Sequence, residues 1–156
     1  MAANIFLYKQ NLFNTWSKPY KTFLMKRHIK YIIVHNTATF DPKISQHYGF
    51  FHYVVERTGE IKRIYPESAV IKHLPDVDNE AIHIAYTGGR NKAGALGDTR
   101  TPMQEEALFN KLVALSVKYP ACRICGHDEL DATSNCPGFS VKDWLRNYEP
   151  DLTIRA

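Results

Sequence analysis

The stretch "KYIIVHN", Lys30 to Asn36, decides how this chain is read. Its apolar run is short, rich in β-branched residues and ends on a histidine. That combination predicts a buried strand rather than a helix. Sites in α/β sheets gather at the carboxyl ends of strands, so His35 stands where chemistry is expected.

Working outward, "FFHYVVER" and "EIKRIY" flank Thr58-Gly59 and predict a hairpin. Strand alternation would put Phe51 and Tyr53 on one face and His52 on the other. "AIHIAYTGG", residues 81–89, reads as a further strand closed by two glycines, and the polar, glycine-rich residues 90–100 as a loop. A helix follows. Thr101 supplies the N-cap, Pro102 the first helical position and Gln104 a capping box. Leu108, Leu112, Leu115 and Tyr119 then form one apolar stripe, and Pro120 stops it. "CRIC", residues 122–125, predicts a short strand leading to His127. Ser140 and Asp143 open a last helix carrying Trp144, Leu145 and Tyr148. Strands with interspersed helices over 156 residues indicate one α/β domain with a mixed central sheet flanked by helices.

Charge divides the chain differently. Lys9, Lys18, Lys21, Lys26, Arg27 and Lys30 precede the first acid, Asp41. That leaves 14 of the 20 bases against all 16 acids, so the remainder is close to neutral. Residues 1–29 are read as a basic arm, residues 30–148 as the folded domain and 149–156 as a tail. An acid-free arm attracts polyanions in general, or is simply solvated, and names no partner. No apolar run reaches the length of a membrane span, and the short runs near the N-terminus form no secretory core. The expectation is therefore synthesis in the cytoplasm, where Cys122, Cys125 and Cys136 stay reduced.

"GHDELDATSNCPGF", residues 126–139, carries a second candidate cluster. His127 follows a predicted strand and Cys136 sits in a loop fixed by Pro137-Gly138. Together with His35 they would supply three nitrogen and sulfur ligands with a fourth position open, the pattern of a catalytic zinc centre. A closed structural site of Cys122, Cys125, His127 and Cys136 is the competing arrangement. Residues three apart on a strand face opposite ways, which argues against it. Buried free thiols are then the expected state of Cys122 and Cys125.

The ordered set "IIVHNTAT", an aromatic-His-aromatic strand, "TGG", a helix and "GHDEL…CPGF" resembles the zinc-dependent N-acetylmuramoyl-L-alanine amidases. That family includes T7-type phage lysozymes and peptidoglycan recognition proteins, and the resemblance covers about residues 30–147. It implies a Zn2+ ion held by His35, His127 and Cys136. It further implies hydrolysis of the amide joining N-acetylmuramic acid to L-alanine in bacterial peptidoglycan, as in a phage or prophage endolysin acting on the wall after release. A monomer is expected, and nucleic acid is not indicated as a partner. A non-catalytic peptidoglycan-binding module of the same fold is the alternative.

The departures from the family pattern are specific. Phe51 stands in place of a tyrosine, so that hydroxyl is missing. Ala85 falls near the glutamate of another branch. Ser134, with Thr133 beside it, occupies the position of a family lysine or threonine, and these two hydroxyls become the candidate catalytic donors; a rearranged Tyr48 is a further source. His73 matches a groove histidine, and His73, Phe51, His52 and Asn36 are expected to contact substrate. His83 replaces a glycine and implies a narrower groove. Only sixteen residues separate His35 from His52, too few for the helix relatives carry there. The basic arm is a candidate cover for the surface so exposed.

Overall fold

The computed structural model describes residues 27–40 and 45–148; most of the basic arm and the tail lie outside them. Five strands make one sheet: β1 (Tyr31–Asn36), β2 (Tyr53–Val55), β3 (Ile61–Arg63), β4 (Ala81–Tyr86) and β5 (Arg123–Gly126). Their spatial order is β3-β2-β4-β1-β5. Only the β2–β3 hairpin is antiparallel. β1 lies between β4 and β5 and is buried from Ile32 to Asn36; cover on both of its faces explains its unbroken apolar run.

Alternation along the strands separates two faces. Ile32, Val34, Tyr53, Val55, Ile82, Ile84 and Tyr86 point to one side. There they meet Leu108, Leu112 and Leu115 of α1 (Pro102–Lys118), and Val141 and Trp144 of α2 (Val141–Arg146). Burying each such side chain stabilises by about 1.5–3 kcal/mol, so this face supplies most of the driving force. The opposite face carries Ile33, Ala81 and Cys125 at one end and Phe51, Val54 and Ala85 at the other. Loops pack over it.

The predicted caps form. Thr101 Oγ1 accepts from Gln104 N, and Gln104 Oε1 accepts from Thr101 N. Gln104 does more than cap: fully buried, its Nε2 donates to Val55 O and Thr87 O, fastening α1 to the ends of β2 and β4. Ser140 Oγ accepts from Asp143 N at the start of α2.

Two expectations need correction. Phe51 and Tyr53 do not share a face, because the chain bends at His52 and regular β2 starts only at Tyr53. Phe51 packs with Val54 and Ala85, whereas Tyr53 joins the helix side. Arg27 and Ile29, counted with the arm, belong to the body of the fold. Ile29 is buried, and the Arg27 guanidinium donates to the carbonyls of Glu67, Ala69, Asp78, Asn79 and Ala81. The interval before His52 is indeed short, and its described part holds a 3-10 turn, Ser45–Phe50. Cys122 and Cys125 separate as expected, one against the helix-side core and the other against Ile33 and Ala81.

Candidate metal centre

His35 ends up on the loop-covered face of β1, fully buried. His127 follows β5 directly, and His73 arrives from the loop between β3 and β4. Ligand nitrogens of these three histidines lie within 4.8 Å of one another. Cys136 adds a fourth donor, with Sγ 3.8 Å from His35 Nδ1. Zinc bonds of about 2.0–2.1 Å to nitrogen and 2.3 Å to sulfur put tetrahedral neighbours roughly 3.5 Å apart, so this separation fits shared ligation.

Individual atoms support the fit. His35 Nε2 is engaged with His83 Nδ1 at 3.1 Å, leaving Nδ1 to face the sulfur. His127 Nδ1 is buried with no hydrogen-bond partner, while its Nε2 faces Asp131 Oδ2 at 3.8 Å. An orphaned buried nitrogen is costly unless something binds it. Asn36 N donates to Cys136 Sγ at 3.2 Å, a contact that steadies a thiolate.

The loops reach this arrangement through two glycines. At Gly126 a Cβ would collide with the Asp128 carboxylate and crowd Pro137, while Asp128 N donates to Cys136 O. Gly89 lies so close to the Asn36 carboxamide that any side chain would strike it, and its positive φ of 93° suits glycine. Pro137 O accepts from Asn36 Nδ2 and Tyr86 Oη, so the cysteine loop is tied to the ends of β1 and β4.

Burial pushes His35 well below the usual histidine range, reinforced by the neighbouring imidazoles of His73, His83 and His127. His73 and His127 are lowered too, chiefly by burial. Neutral imidazole is the form that binds a metal. Burial also raises the Cys136 thiol to about 11. A coordinated cation reverses that, since a coordinating thiol is deprotonated outright.

The remaining predicted residues divide. His73 is half-buried on the wall of a cleft of about 460 Å3 shared with Val70, Lys72, Pro75, Asp78 and Asn79. Phe51 lies beneath it, 5.6 Å from its ring and 5.4 Å from that of His35. Ser134 Oγ accepts from Cys136 N, so its proton remains free to donate. Thr133 Oγ1 donates to Asp131 Oδ1 at 2.6 Å, and its proton is already committed. Asn36 and His52, expected at the substrate, are engaged inside the protein. Both ends of the Asn36 amide are bonded to backbone, Nδ2 to Pro137 O and Oδ1 to Ala38 N. His52 is fully buried between His83 N and Ala69 O. His83 does not narrow the groove either: it is fully buried under His35. The Tyr48 hydroxyl donates to Glu56 Oε1 at 2.6 Å and is occupied there.

Sequence reasoning missed Asp78. Its carboxylate accepts from His73 N at 2.9 Å and Leu74 N at 2.6 Å, holding the loop that presents His73. The signal available was its place in the turn-rich "LPDVDNE", where aspartate side chains bond nearby backbone amides.

Residues 25–139 match the family model described as N-acetylmuramoyl-L-alanine amidase. The chain belongs to this amidase family. An endolysin of Klebsiella phage KP32 is 27% identical over 99 residues, covering 64% of this chain and 65%, just under two thirds, of that endolysin. The amidase LysC from Clostridium intestinale superposes with a TM-score of 0.63 at 24% identity, covering 78% of this chain and 86% of LysC. AmiD from E. coli, solved with anhydro-N-acetylmuramic acid-L-Ala-D-gamma-Glu-L-Lys, gives 0.64 at 19% identity, covering 78% and 58%. The mixed sheet and its flanking helices are the fold these amidases share.

Proposed function

We propose that the chain hydrolyses the amide between N-acetylmuramic acid and L-alanine in peptidoglycan, with zinc held by His35 Nδ1, His127 Nδ1 and Cys136 Sγ. The observation that carries this reading is the orphaned, buried His127 Nδ1, on a histidine whose ligand nitrogen lies within 4.8 Å of that of His35, together with the 3.8 Å between His35 Nδ1 and Cys136 Sγ. Family membership, the phage endolysin relative and the muramyl peptide bound to AmiD all support it. Zinc in such a site supplies a Lewis acid and a water acidic enough to attack near neutral pH.

The chain's own groups do the rest. The substrate peptide lies along the cleft wall beside His73. Phe51 backs the His35 and His73 rings and keeps water from beneath them. Ser134 turns its free proton toward the carbonyl oxygen as negative charge develops, a contribution worth most where water is excluded. The role is that of a wall-degrading endolysin domain acting as a monomer.

A second reading, a binding module without turnover, is favoured by the absence of a proton-carrying group at Phe51 and Ala85 and by the engagement of Tyr48 with Glu56. One assay separates the two. Purified peptidoglycan is digested with the zinc-loaded protein, with chelator, and with zinc restored, and new L-alanine N-termini are counted. Release that chelator abolishes and zinc restores is the expected result. Binding without release in every arm would leave the module reading standing.

A further inference from the structure

Beneath His35 runs a line of buried polar groups that the hydrolysis above does not use. His35 Nε2 meets His83 Nδ1 at 3.1 Å, and His83 Nε2 faces Asp78 Oδ1 at 3.3 Å. His83 is fully buried and Asp78 nearly so. The approach to Asp78 is long and badly aligned, so His83 Nε2 has no well-formed hydrogen bond. We propose that His83 and Asp78 are a positioning pair that fixes the tautomer and ring plane of His35 and so sets the metal affinity of the centre. This rests on His35 being a ligand.

The donor directions fit one assignment. To offer a lone pair at Nδ1, neutral His35 must carry its proton on Nε2. That Nε2–H donates to His83 Nδ1. Accepting there, His83 carries its own proton on Nε2, on the side of the ring that faces Asp78. The next ring agrees. His83 N donates to His52 Nδ1 at 3.0 Å, so His52 has its proton on Nε2, which donates to Ala69 O at 3.0 Å. Three neutral rings thus share one consistent set of tautomers.

Placement explains why an imidazole is interposed. His83 pairs with Ile33 across the β1–β4 ladder, two residues before His35 on the same face. From there its ring spans the gap between His35 and a carboxylate that is anchored elsewhere, on His73 N and Leu74 N. Asp78 therefore serves both histidine-bearing segments, orienting His35 through His83 and holding the loop of His73 directly. Metal-binding histidines usually give their second N–H to a carboxylate or carbonyl, and losing that partner typically weakens metal affinity about 10–100-fold.

The test measures zinc affinity of the full chain by competition with a chromophoric chelator, and the visible absorption of the cobalt-substituted protein. His83→Leu should bind zinc about 10–100-fold more weakly and shift the cobalt bands. His83→Asn, whose amide falls near the lost Nδ1, should recover most of the affinity. Asp78→Asn should weaken binding about tenfold, the lower end of the same range. A packing role predicts the reverse ranking, leucine above asparagine. Wild-type affinity and an unchanged cobalt spectrum in His83→Leu, or leucine outperforming asparagine, overturns the proposal. Should His83→Leu fail to fold, His83→Gln decides on the same readouts. Its amide reaches the Nε2 position instead, so weakened binding supports the pair and wild-type binding overturns it. His35→Ala separates the two levels. If it keeps zinc at wild-type affinity, the ligand assignment itself fails. If it loses zinc while His83→Leu does not, only the positioning pair fails.

Discussion

The two faces of the central sheet are built from the same strands by opposite rules. On the helix side the buried positions are apolar or aromatic, from Ile32 and Val34 to Leu108, Leu112 and Leu115, apart from Gln104, whose amide bonds Val55 O and Thr87 O. On the loop side the same alternation buries His35 and His83, while the bend at His52 adds a third fully buried imidazole. Burying polar rings costs stability unless each finds a partner, and apolar side chains of similar size would pack there without that demand. The helix face is therefore where the fold gets its stability. The loop face accepts a cost in order to hold nitrogens and a sulfur at chosen distances.

If that division holds, function and stability separate by face. The largest expected effect is on the loop side: Cys136→Ala removes the sulfur 3.8 Å from His35 Nδ1, and release of L-alanine N-termini should fall to background. Far-UV circular dichroism and the melting midpoint of the metal-free protein should change little. Collapse of the fold in this variant would break the comparison, because the site would then be part of the stabilising core. Leu112→Ala probes the other face. It should cost about 2–5 kcal/mol in denaturant unfolding, the range for a buried leucine, while zinc bound per folded molecule stays unchanged. A loss of zinc in the folded fraction would show that the helix face also tunes the site.

The helix face is also the face that could be read from sequence. Its strands and α1 announce themselves through β-branched runs, the leucine stripe and the Thr101 box, because periodicity reports burial against one partner surface. The proposed donors His35, His127 and Cys136 stand out in the sequence for a different reason: each sits where a strand or a Pro-Gly turn fixes it. Support beneath them was not. His83 and His52 occupy strand or near-strand positions where a histidine could face substrate or core, and only the register with β1 places His83 near His35, with His52 bonded to His83 in turn. Asn36 reads as a polar residue beside a site, yet both ends of its amide are consumed by backbone. Arg27 looked like the end of a solvated arm, and only tertiary structure reveals the five carbonyls waiting for it. Long-range partners of a polar side chain leave no periodic trace.

The smallest expected effect lies where the two regions are tied together. Glu67, in the loop leading toward His73, accepts from Tyr53 Oη at 2.5 Å and Tyr119 Oη at 2.6 Å, and pairs with Lys118 Nζ at 2.5 Å. Partial burial by itself would raise its carboxyl. The Lys118 ammonium and the two phenols outweigh that and pull it down to about 2. A folded value below the unfolded one, about 4.3, means the contribution is complete above that pH. It is then lost as pH falls from about 4.3 toward 2. The Lys118 side chain is 60% exposed, so screening reduces the expected worth to about 1 kcal/mol. Glu67→Gln should therefore melt slightly below the wild type at pH 6, and the gap should narrow by roughly half as both are titrated to pH 3, which lies between the folded and unfolded values. Taking the difference cancels acid effects on the histidine cluster, which both proteins share. A gap that persists unchanged to pH 3 would mean the carboxylate charge is not what joins the cleft loop to α1.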